Sequence, residues 1–139
     1  MKKSVLACAA FVLAFSFSQL ASANDLGDIM KQIGVDFNDL KKAVKTRGDL
    51  SEATKLQSQN LSALLIEAVP MVPYLDDISK DPKEQQRLLA LFHKLMAETL
   101  AASYDVEMNI VTQDLEKAKA GIDLLAKKRL EAHDIFRKE

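Results

Sequence analysis

From residue 26 onward apolar side chains recur at helical spacing, in the first stripe by alternating steps of four and three, and no stretch alternates with period two over a useful length. That spacing gathers the apolar set onto one stripe of a helix, and a chain made only of such stripes must bury them against one another. The first stripe runs Leu26, Met30, Ile33, Phe37, Leu40 and Val44. The second carries Ala53, Leu56, Leu61, Leu64, Leu65 and Ala68. Leu88, Phe92, Leu95, Thr99, Ala102 and Val106 form the third, widened by Leu89, Met96 and Leu100. The fourth is Leu115, Ala118, Ile122, Leu125, Arg129, Ala132 and Phe136.

Local signals divide these stripes. Asp25 can cap the first helix, and Lys45-Thr46-Arg47-Gly48 closes it with basic residues and a C-terminal glycine. Asp49 followed by Glu52 reads as a capping box for the second helix. Pro70, Pro73, Asp76, Asp77 and Ser79 mark a longer connection, and Asp81-Pro82 pairs an N-cap with a first-turn proline. Neither glycine nor proline separates the third stripe from the fourth. An unbroken helix from Pro82 to Lys138 would nonetheless run about 84 Å, too long for a small domain. Thr112, with Asp114 and Glu116 in the next turn, is the expected restart. The expected fold is all-α: an antiparallel up-down-up-down four-helix bundle.

The segment before residue 24 reads differently. Lys2 and Lys3 precede an apolar run from Val5 to Phe17, and Ala21-Ser22-Ala23 follows with small-x-small spacing. The run is too short for a membrane span and reads as a secretory signal peptide cleaved after Ala23. Residues 1–23 are then the leader and residues 24–139 the folded domain, exported to the periplasm without membrane insertion. The only cysteine, Cys8, falls in the leader. Residues 24–139 can therefore form no disulfide, zinc ribbon, iron–sulfur site or Cys-x-x-Cys-His haem tether. With Lys2 and Lys3 removed, 17 of the 19 basic residues face 20 acidic ones, a net charge of −3. That balance points to neither nucleic acid nor an anionic membrane as partner.

Two seam positions need a reason. Arg129 falls where the fourth helix should present an apolar side chain, and His133 lies one turn further on the same face. A buried arginine without a partner is costly, so it must reach solvent or an anion. Arg137 extends the line by another turn. In an antiparallel four-helix bundle the start of the first helix and the end of the last share one end, which brings Met30 toward His133. A thioether and an imidazole form an axial ligand set for haem iron in an electron carrier. A haem would use the arginines for its propionates and an apolar wall for its macrocycle.

The ends of the domain carry a family resemblance. Asp25-Leu26-Gly27-Asp28-Ile29-Met30 resembles the opening D-L-x-D-x-M of the periplasmic cytochromes b562, and Arg129-Leu130-Glu131-Ala132-His133 through Phe136-Arg137 resembles their closing R-x-x-x-H-x-x-aromatic-R. The segment from Phe92 to His133 matches the family's length without a gap, and Ala53-Thr54-Lys55-Leu56, Leu61 and Pro70 resemble its second helix and following loop. The resemblance implies a non-covalent haem b (protohaem IX) whose iron is held by Met30 and His133, with Arg129 and Arg137 as pocket arginines. It implies a lining of Leu26, Ile33, Phe37, Leu56, Pro70, Phe92, Met96 and Phe136. The chain departs from the family where Phe136 replaces a tyrosine, where Met96 replaces a phenylalanine, and throughout the loop from Pro70 to Asp81.

The expected function is one-electron transfer rather than catalysis, in a monomer meeting periplasmic redox proteins transiently. The competing expectation is a haemless helical binding or chaperone-like module, in which Met30 and His133 are packing residues. No paired L-T-x-x-Q motif supports it, and Met71, Met96 and Met108 are too scattered for a copper site. For an enzyme no constellation emerges: His93 reads as core edge or solvent, and Asp76, Asp77 and Asp81 read as loop and cap residues.

Overall fold

The computed structural model describes residues 25–137, so the expected leader, Cys8 and the expected cleavage position after Ala23 lie outside the described residues. Within them the chain forms four α-helices and no strand: α1 (Leu26–Lys41), α2 (Glu52–Ala68), α3 (Pro82–Val111) and α4 (Leu115–Phe136). Each helix packs on the next along the chain, and all four contribute to one core. Among the described residues no helix is long and apolar enough to cross a membrane.

The first helix starts where its cap predicts, with the Asp25 carboxylate accepting from the Asp28 N–H at 2.9 Å. Past Lys41 it widens into a single π turn, Lys42–Thr46. Ala43 and Val44 on this turn are both fully buried. Gly48 then reverses the chain at φ +62°, the left-handed conformation expected of a C-terminal glycine. Lys45 on this turn forms an ion pair with Asp123, tying it to α4.

The cap of α2 differs from expectation. Ser51, not Asp49, is the N-cap. Asp49 instead accepts from the Ser51 N–H at 2.9 Å and from the Thr54 hydroxyl at 2.8 Å, bracing the turn from outside the helix. The buried face also differs. Thr54, Ser58, Leu61, Leu65 and Ala68 point inward, while Ala53 and Leu56 face solvent. Small hydroxyl residues hid this face from a purely apolar reading. Thr54 is satisfied by Asp49, and Ser62 shares a 2.8 Å hydrogen bond with Ser103 of α3. The Ser58 hydroxyl is buried without a partner, for which the packing gives no account.

Asp81 and Pro82 open α3 as expected, the Asp81 carboxylate accepting from the Lys83 N–H at 3.1 Å. The break before α4 is not where the sequence suggested. Thr112 ends α3 as its C-cap, and Asp114 caps α4. Between them Gln113 adopts φ 60°. Its side-chain amide donates to the carbonyls of Leu50 and Ile110, both at 2.9 Å, which holds a non-glycine residue left-handed. Beyond the break α3 and α4 come very close: a Cβ on Gly121 would meet Val106 Cγ2 at 2.7 Å.

The connection from 69 to 81 folds back on the helices rather than standing free. Pro73 and Leu75 are buried, and the Gln85 side chain donates to Asp76 Oδ1 at 2.7 Å and to the Ser79 carbonyl at 2.8 Å.

Candidate functional site

Contacts between α1 and α4 run mainly through the π turn, leaving the first turns of α1 and the last turns of α4 parted. A cavity of about 880 Å³ opens there, closed on a third side by residues 72–78 of the connection. A second, small cavity of about 40 Å³ lies against it. Met30, Arg129, Ala132 and His133 line both.

The helical periods of α1 and α4 produce this convergence. Met30, Gly34 and Asn38 repeat every four residues on α1, and Arg129 and His133 do so on α4, whereas Arg137, expected one turn further along, is the extended residue that ends α4 and reaches the large cavity from beyond its last turn. Leu26, Phe92, Phe136 and Arg137 complete the expected lining of the large cavity. Ile33, Phe37 and Met96 line the small one. Phe92 and Phe136 meet edge to face at 5.5 Å, fixing the last turn of α4 against α3.

Two expected lining residues lie elsewhere. Leu56 is 56% exposed because α2 turns its Thr54–Ser58 face inward instead. Pro70 is exposed at the start of the connection and reaches neither cavity. The connection supplies Val72, Pro73, Tyr74 and Ile78 in its place. Sequence reasoning missed these four, since irregular backbone carries no period from which direction can be read. It also missed Gly34, although its place one turn after Met30 was legible. His93 is half-buried outside both cavities, beside Phe92 at 5.9 Å, with its Nε2 unpartnered.

Arg129 is the polar centre of the site. Its guanidinium lies 5.8 Å from the centre of the Phe37 ring and packs over Gly34, where a Cβ would come within 3.3 Å of Nη2. It is thus half-buried and held by an aromatic face. The neighbouring His133 imidazole is held below its ordinary pKa, first by burial and then by the positive charges of Arg129 and Arg137, against the pull of Asp134. A neutral imidazole keeps a lone pair for a metal, and the adjacent guanidinium favours an anion. No family model, curated protein or solved structure matches this chain. Among the described residues no group of three or more His, Cys, Asp or Glu side chains is arranged to hold a bare ion. The wall of the large cavity holds one imidazole, His133, and one thioether, Met30, with Arg129, Arg137 and Lys31 as its cations and Asp25 and Asp77 as its carboxylates.

Proposed function

We propose that this chain is a periplasmic b-type cytochrome of the b562 kind, a one-electron carrier. The observation that carries the reading is that Met30 and His133, from opposite ends of the folded domain, line the same pair of cavities. An antiparallel up-down-up-down order of the four helices accounts for that meeting.

The residues fit haem b. A cavity of about 880 Å³ is within the size of cofactor pockets, and its wall mixes apolar side chains with a few polar groups. Met30 and His133 would hold the iron, and Arg129 and Arg137 would meet the propionates. When bound, the haem supplies a one-electron Fe(III)/Fe(II) couple. The chain's own part is to hold His133 neutral, to keep Arg129 against Phe37 rather than in water, and to exclude water with Leu26, Phe92 and Phe136. With Met30 and His133 both given to the iron, the bound haem would serve electron transfer rather than catalysis. Its partners would be periplasmic redox proteins that bind transiently.

Titration of residues 24–139 with haemin tests this reading. Saturation of the Soret band at one haem per chain, at micromolar concentration, is the expected result. No uptake would overturn it, leaving Met30 and His133 as packing residues of a helical binding module.

A further inference from the structure

The solvent face of α3 carries a second stripe that the four-helix core does not use. The core takes Leu88, Phe92, Leu95, Ala102, Val106 and Ile110. On the opposite side Ala90, Ala97, Ala101, Tyr104, Met108 and Val111 are all exposed, and with Lys94 between the first two they repeat in steps of four and three. Tyr104 is 47% exposed, Met108 62% and Val111 55%. A helix face opposite the core is ordinarily polar, and this spacing is that of a helix–helix seam.

Charge along the same helix is segregated. Lys83, Arg87 and Lys94 lie exposed in its first half, where the one acidic residue, Glu84, is taken up by Arg87, whereas Glu98, Asp105 and Glu107 lie in its second. Glu98 is engaged by Lys94 and Lys128, and Glu107 accepts from Gln59, but Asp105 stands exposed beside Tyr104. A helix that is basic at one end and acidic at the other is complementary to itself reversed and repels itself in parallel.

We infer that the outer face of α3 is a docking surface for a second copy of this chain, paired antiparallel about a two-fold axis between Ala97 and Ala101. The two alanines at the crossing let the helix axes approach closely. In this register Lys94 lies against Tyr104 of the second copy, an ammonium over an aromatic ring with Asp105 alongside. Ala90 meets Met108, and the alkyl stem of Arg87 covers Val111. The seam from Arg87 to Val111 is about 36 Å long at about 1.5 Å per residue. The surface is separate from the cavity, so this inference stands whether or not the chain binds haem. It departs from the monomer expected from sequence.

Sedimentation equilibrium on residues 24–139, from about 1 µM to about 1 mM, reads the association directly. The expected result is a concentration-dependent dimer whose dissociation constant rises at least about tenfold in Met108→Lys, with unchanged helical content because the position is exposed in the monomer. A chain that stays monomeric throughout, or a dimer indifferent to Met108→Lys, would overturn the proposal. Orientation is tested by cross-linking, since residues 24–139 contain no cysteine of their own. Ala90→Cys mixed with Met108→Cys should form a disulfide between the two variants, and Ala90→Cys alone should form none. Efficient self-linking of Ala90→Cys would mean a parallel pair and would overturn it equally.

Discussion

Arg129 of α4 lies directly over Gly34 of α1, so close that a Cβ on the glycine would stand 3.3 Å from Nη2. The glycine is the cradle that lets a guanidinium cross from one helix to the other beneath the Phe37 ring. Gly34→Ala asks only a few tenths of an ångström from the far end of a flexible side chain. It should raise the thermal midpoint of the ligand-free protein, since alanine is favoured over glycine within a helix by about 0.5–1 kcal/mol. Gly34→Leu should fill the cradle and expel Arg129, weakening haemin binding several-fold while α1 remains helical by circular dichroism.

The His133 imidazole has its pKa lowered from 6.5 by burial, then by Arg129 and Arg137, with Asp134 opposing. In the unfolded chain the imidazole regains its ordinary proton affinity. Between the two values the unfolded state therefore binds more protons, and stability rises with pH. The stabilisation is present above the unfolded value and is lost as pH falls through the folded one. Urea unfolding of the ligand-free protein at pH about 7.5 and about 5 should show this loss, and His133→Gln should reduce it. Identical pH dependence in the two proteins would contradict the assignment.

Leu56 and Phe37 separate the wall read from sequence from the wall that is present. Leu56 is 56% exposed, so Leu56→Ala should change stability by no more than about 0.5 kcal/mol and leave haemin affinity unchanged. Phe37 is 5% exposed, and its ring carries Arg129. Phe37→Ala should cost about 3–5 kcal/mol and weaken haemin binding. Denaturant unfolding and haemin titration measure both.

Gln113 holds a left-handed backbone through two side-chain hydrogen bonds. Gln113→Ala keeps the backbone strain and loses both bonds, a cost of about 1–2 kcal/mol. Gln113→Gly loses the same bonds but relieves the strain, so it should be less destabilising. Thermal unfolding of the two variants should rank them in that order.

The parts of the fold legible in the sequence are those where one rule acts alone. Asp25, Asp81-Pro82 and Gly48 mark helix ends through local backbone chemistry, and each is found in place. The stripes of α1, α3 and α4 were legible because their buried positions are mostly apolar. That of α2 was misread because Thr54 and Ser58 are buried while Leu56 is not. The α3–α4 break was misplaced because Gln113 is held by a contact with Leu50, 63 residues away, which no local pattern records. In the site, Met30, Arg129 and His133 followed from helical spacing, whereas Arg137 lies in extended backbone past the end of α4, and Val72, Tyr74 and Ile78 depend on how an irregular segment folds back.

The most direct test of the account is the visible spectrum of the haem-loaded protein, oxidised and then reduced with dithionite, beside those of Met30→Ala and His133→Ala. The account predicts sharp α and β bands on reduction, typical of a six-coordinate low-spin iron, and a change of spin or coordination state in each variant. Haem taken up with a spectrum that neither substitution alters would contradict it.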